Sequence, residues 1–123
     1  MEKIFYVGLG GFIGAALRYI ISTNSSKVFN GQLPYGTLIV NILGGILIGF
    51  IMELSSTTNI ISSNLKLFLT TGILGGLTTF STFSYETVAL FSNGSYYLAL
   101  LNTFLNLFLS FSGVVIGKNI VNI

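Results

Sequence analysis

The residues best suited to chemistry sit in one run, Gly72 to Tyr85, reading GILGGLTTFSTFSY inside the third apolar stretch of the chain. It sets two adjacent glycines, six hydroxyls and two phenylalanines where the hydrocarbon centre of a membrane-crossing segment would fall. Gly75 and Gly76 weaken a helix, and Thr78, Thr79, Ser81, Thr82 and Ser84 carry hydroxyls that can bond backbone groups in place of the helical ladder. The expected result is a helix break at mid-membrane, which is tolerated only where the freed backbone is buried in protein or lines a polar cavity. The first half-helix, ending near Gly75, would turn carbonyls and a negative dipole end to the centre, which suits a small cation such as sodium. The second, beginning near Thr79, would turn N–H groups and a positive end there, which suits an anion. Phe80 and Phe83 are three apart and share a face near that N-terminus, and their electropositive ring edges can meet a poorly hydrated anion without a formal charge. The competing reading makes both rings core aromatics and has the hydroxyls bond back to their own helix.

Other segments supply companions. Asn41 lies inside TLIVNILGG, far from either end of its stretch, and an unpaired buried amide costs about 1–3 kcal/mol. It must bridge helices or face a wet path. Asn102, Asn106 and Ser110 recur four apart and form one polar stripe on a segment of Leu, Phe and Val. The stripe serves either a polar path or hydrogen bonds between helices. Arg18, near the end of the first stretch, can snorkel to the interface or give a pore entrance positive potential. Glu53 reads as interfacial. Glu86 lies within the third stretch, and acids at such depth are rare without a role.

These residues must be held by membrane helices. The chain has 123 residues, 52% hydrophobic and 7% charged, far below the charge that a soluble surface needs. Four apolar stretches, about 4–21, 35–54, 65–91 and 96–121, each approach or exceed the ~20 residues that cross a bilayer as a helix. The expected architecture is all-α, one transmembrane domain over residues 1–123, in the cell membrane, multi-pass and in contact with lipid. The first stretch lacks a small-residue cleavage pattern and is expected to stay in the protein. With no Cys, no His and only Glu2, Glu53 and Glu86 as acids, thiol chemistry, the usual zinc sites, catalytic triads and paired carboxylates are all excluded or improbable, so an enzyme is not expected. Five scattered bases form no basic run, so nucleic acid is not an implied partner.

Each stretch carries glycines four apart: Gly10 and Gly14, Gly45 and Gly49, Gly72 and Gly76, Gly113 and Gly117. Such pairs form grooves that let membrane helices approach closely, and the third pair, beside the hydroxyls, could do more. Flanking bases are nearly balanced, with Lys3, Lys66 and Lys118 on one side and Lys27 with Arg18 on the other. Orientation normally follows a strong cytoplasmic excess of bases, so this balance is compatible with insertion both ways and with an antiparallel, dual-topology homodimer.

GGFIGAALRY at 10–19, GTLIVNILGG at 36–45 and GGLTTFSTFSYE at 75–86 resemble the signature stretches of the Fluc (CrcB) fluoride channels, in order and in three of the four spans. The resemblance implies an antiparallel homodimer with two fluoride pores and a central structural sodium ion. It assigns the sodium to backbone carbonyls of Gly75 and Thr78 from both subunits. It lines the pore with Asn41, Phe80, Phe83, the hydroxyls of Ser81, Thr82 and Ser84, and Ser110 with Asn106. Arg18 and Glu86 would be vestibule or structural residues. Some relatives carry a further hydroxyl one turn beyond Ser110, where this chain has Val114, with Ser112 as a differently facing substitute. The function so implied is a passive, fluoride-selective channel that relieves cytoplasmic fluoride. Two alternatives stand beside it: a small dual-topology multidrug antiporter, which would need an acid in the first span and aromatic walls with Trp, and a non-transporting membrane assembly subunit.

Overall fold

The computed structural model describes every residue from Met1 to Ile123 and is helical throughout, with no strand. Four segments are long and apolar enough to cross a membrane: α1 (Glu2–Val28), α2 (Tyr35–Thr57), the interrupted segment Ser63–Ser92, and α6 (Tyr96–Val121). Within the interrupted segment, α3 (Ser63–Leu67) widens into a π-helical turn (Phe68–Leu74), closes as α4 (Gly75–Leu77) and resumes after Thr78–Thr79 as α5 (Phe80–Ser92). Ser62 caps α3 by accepting the Leu65 N–H at 3.2 Å. Between α5 and α6 the chain reverses at Gly94, whose φ of +81° is open to glycine at no steric cost. There Ser95 N–H bonds Leu90 C=O and Gly94 N–H bonds Phe91 C=O, the paired closure of a helix C-terminus.

Two helices outrun their expected limits. α1 continues from Ile21 to Val28 through STNSSK, and α2 from Leu54 to Thr57. The reason is local: Thr23 and Ser26 donate their hydroxyls to Tyr19, Ile20 and Thr23 carbonyls, and Ser56 and Thr57 donate to Glu53 C=O. Hydroxyls bonded to their own helix let a polar run stay helical instead of turning.

The glycine pairs act two by two. α1 lies against the π-helical turn and α4, and α2 lies along α6. A Cβ on Gly10 would sit 2.8 Å from the Gly72 Cα, and one on Gly76 would sit 2.6 Å from Gly11 C=O. A Cβ on Gly45 would come within 2.7 Å of Ser110 C=O, and one on Gly117 would fall on Ile46 C=O. Backbone therefore meets backbone at both crossings, as small residues permit where lipid offers no hydrophobic drive. The third pair, Gly72 and Gly76, packs like the others. What it adds is position, since it seats the break against α1.

Candidate functional site

At the break the helical ladder is interrupted, and two of its N–H groups are diverted to side-chain acceptors. In a continuous helix Thr79 N–H would bond Gly75 C=O, and Thr82 N–H would bond Thr78 C=O. Here Asn41 Oδ1 accepts Thr79 N–H at 2.9 Å, and the Thr79 hydroxyl accepts Thr82 N–H at 3.1 Å as the N-cap of α5. Thr78 and Thr79 take extended dihedrals, (−84°, 159°) and (−153°, 121°). The carbonyls of Gly75 and Thr78 lose these two donors, those of Gly76 and Leu77 lose theirs across the same break, and Thr78 C=O accepts no bond within the chain. Gly75 itself stays helical, so the interruption comes after Leu77 and not at the glycines. Gly72 and Gly76 admit α1, whereas Gly75 has no α1 atom against it; the polar competition from Asn41 and Thr79 makes the break.

A cleft of about 370 Å³ opens beside it. Asn41, Gly75, Thr78, Phe80, Phe83, Asn106 and Ser110 all line this cleft, drawn from α2, both sides of the break and α6. Phe83 is buried at 7% exposure, whereas Phe80 is 75% exposed, and the two rings sit 5.5 Å apart, tilted 60°. The Ser110 hydroxyl is half-buried and makes no hydrogen bond within the chain.

Both amides in the cleft have their hydrogens engaged. Asn41 Nδ2 donates to Thr79 C=O at 3.2 Å and to Asn106 Oδ1 at 2.9 Å. Asn106 Nδ2 donates to Asn102 C=O at 2.9 Å and Asn102 Oδ1 at 3.1 Å. Asn41 therefore bridges α2 to α5 and α6 while also facing the cleft, so its two readings are not exclusive. Asn102, read only as part of a stripe, is fully buried and linked to Thr87. Its four-residue spacing from Asn106 was the signal; Thr87 carried none.

The remaining candidates lie elsewhere. Ser81 and Thr82 are exposed and do not line the cleft, and Ser84 donates its hydroxyl back to Phe80 C=O at 2.9 Å. Ser112 is exposed, and Val114 offers its carbonyl to the face of Gly49. Arg18 is half-buried on α1 with no ion pair; the sole ion pair joins Lys118 to Glu53 at 3.7 Å. Glu86 lines two smaller clefts, of about 310 and 280 Å³, and one of its carboxylate oxygens is buried without a donor.

Residues 5–118 match the family described as CrcB-like protein, Camphor Resistance (CrcB). A protein of Clostridium novyi (strain NT) named fluoride-specific ion channel FluC is 61% identical over 121 residues, covering 96% of this chain and 94% of its own. One of the same name from Clostridium perfringens (strain 13 / Type A) is 62% identical over 126 residues, covering 100% and 98%. Another, from Campylobacter fetus subsp. fetus (strain 82-40), is 53% identical over 121 residues, covering 98% and 94%. Similarity of this depth spans the break, the cleft and all four apolar segments, and the chain belongs to the CrcB family.

Proposed function

We propose that this chain is a multi-pass membrane channel, not an enzyme, which lets fluoride leave the cell passively and excludes larger halides. The observation that carries the reading is the break itself. It lies between Leu77 and Phe80, in the middle of the 30-residue segment Ser63–Ser92, which supports a position near mid-membrane. Relatives more than half identical and named as fluoride-specific channels support the choice of ion.

The chemistry follows from what is left unbonded. The first N–H groups of α5 have no helical acceptor and carry the positive dipole end. Phe80 and Phe83 offer ring edges beside them, and Ser110 offers a free hydroxyl from the facing helix. A small anion can exchange its water for such donors. A larger halide, less strongly bound by each donor and too wide for the passage, gains too little to enter. The absence of a fixed cation in the cleft keeps the anion from being held too tightly to leave.

The finer reading is an antiparallel homodimer. Phe80, on the cleft side, is 75% exposed in one copy, where an inverted copy would cover it and complete the wall; the unbonded hydroxyls of Ser81 and Thr82 are also open, for the partner to cover whichever turns toward it. The same pairing would bring two sets of Gly75 and Thr78 carbonyls together at the midplane. Hard oxygen donors stripped of their N–H partners fit a small monovalent cation such as sodium, and one copy alone supplies too few. Sodium bound there would be structural, neutralising the carbonyl ends of the two breaks. Arg18 and Glu86 remain vestibule or structural residues in this reading.

Expression in cells sensitised to fluoride tests the reading against the antiporter. Rescue from fluoride without rescue from lipophilic cations is expected. Protection against lipophilic cations alone would overturn it.

A further inference from the structure

We infer that Thr87 and Asn102, which lie outside the cleft, are positioning residues for the conduction path. With Asn106 and Asn41 they form one polarised relay that holds the Thr78–Thr79 break in place. The inference rests on the channel reading above.

The orientation of the whole relay follows from its first member. A backbone N–H can only donate, so Thr79 requires Asn41 to present Oδ1. Asn41 Nδ2 then faces Asn106, which must present Oδ1. Asn106 Nδ2 in turn faces Asn102 Oδ1, and Asn102 Nδ2 donates to Thr87 Oγ1 at 2.9 Å. The Thr87 hydrogen is left for Phe83 C=O, at 2.8 Å. Along this path each donor points the same way, so neighbouring bonds polarise and strengthen one another, while the second Asn41 Nδ2 hydrogen returns to Thr79 C=O.

Both ends of the relay lie in one stretch of chain. It leaves from Thr79, the cap of α5, crosses α2 and α6, and returns to Phe83 in the first turn of α5. The first turn of α5, with the Phe83 ring, is thereby clamped to two neighbouring helices. Burial makes the clamp stiff: Asn102 is 0% exposed and Asn106 4%, so water cannot replace a lost partner. If Thr87 loses its oxygen, the Asn102 amide is orphaned and can recover an acceptor only by turning. Turning sets N–H against N–H at Asn106, and the conflict passes to Asn41 and to the break. Thr87 is eight residues from Thr79, about 12 Å along a helix, so this effect would be remote.

The test uses the full chain with Thr87→Val and Thr87→Ser, measured by fluoride efflux from liposomes and by NMR of 15N-asparagine side-chain amides. Valine is expected to slow efflux at least about tenfold and to move the Asn41 and Asn106 amide resonances, because a buried donor loses its acceptor. Serine, which keeps the hydroxyl, is expected to restore both. Valine with unchanged efflux, or slowed efflux with the Asn41 and Asn106 resonances unmoved, would overturn the relay. Should the valine protein fail to fold, Asn102→Asp serves instead, since it keeps the acceptor toward Asn106 and removes the donor toward Thr87; the same shifts are expected, and their absence refutes the inference. Lack of fluoride efflux from the unaltered protein would count against the channel reading, while the resonance shifts would still decide the relay.

Discussion

Asn41→Leu removes the group that diverts the helix, at nearly constant side-chain volume. Three bonds disappear together: Thr79 N–H to Oδ1 at 2.9 Å, Nδ2 to Thr79 C=O at 3.2 Å, and Nδ2 to Asn106 Oδ1 at 2.9 Å. Polar contacts between membrane helices average about 0.6 kcal/mol, so the three together come to about 2 kcal/mol. An orphaned backbone N–H would add about 1–3 kcal/mol, but Thr79 has a remedy. Its N–H can return to Gly75 C=O and carry the helix through the break. The substitution therefore biases the segment by about 2–3 kcal/mol toward a continuous helix, which is about 30- to 150-fold in population. Both the free carbonyl at Gly75 and the N-terminus aimed into the cleft are lost in that state. Fluoride efflux from liposomes should fall by a similar factor, and Asn41→Asp, which keeps the acceptor for Thr79 N–H, should lose less. Efflux from Asn41→Leu within about threefold of the unaltered protein, against the tenfold that 1.4 kcal/mol commands, would refute the diverted-bond origin of the break.

Three further outcomes are expected. Phe83→Ile and Phe80→Ile should each abolish or strongly reduce fluoride flux while leaving the size-exclusion profile of the protein unchanged; unchanged flux would return both rings to a packing role. Gly117→Val would drive a side chain into Ile46 C=O and Phe50 N, backbone atoms that cannot step aside, and should lower the stability of the protein in detergent by about 1–3 kcal/mol or more, read from thermal melting; an unshifted melt would mean that α2 and α6 do not cross as closely as found. Prolonged removal of sodium should silence the channel, with recovery on its return, and flux insensitive to sodium would argue against a cation held by Gly75 and Thr78.

The sequence carried the four apolar segments and the anomaly in the third plainly, because hydropathy and polar intrusion are local properties. It carried the helix ends poorly. STNSSK reads as a loop by composition, yet Thr23 and Ser26 bond to their own helix and α1 runs to Val28. The expected break lies between Gly75 and Thr79; helix persists to Leu77 and α5 starts at Phe80 with Thr79 as its cap, so the expected start of the second half lies close and the expected end of the first half falls short. Gly75 and Gly76 looked like its origin, whereas Asn41, thirty-eight residues before Thr79, decides which N–H is diverted. That competition exists only after α2 and α5 have met. The π-helical turn at Phe68–Leu74, which runs straight into α4, left no mark in the hydropathy pattern at all. Asn41 and Asn106 could be nominated by residue type, but whether an amide offers hydrogens to an ion or spends them on its neighbours depends on partners in other helices. Ser81, Thr82 and Ser84, grouped with the two rings by proximity in the sequence, all lie off the cleft, because the face of α5 that lines it is taken by Phe80 and Phe83.

Anion selectivity in reconstituted vesicles bears most directly on the central claim. Liposomes loaded with potassium fluoride or potassium chloride, and made permeable to potassium, would report efflux of each anion through the purified protein. Rapid fluoride efflux with negligible chloride efflux is the expected result. Comparable rates for the two anions would contradict the account of the break as a fluoride-selective passage.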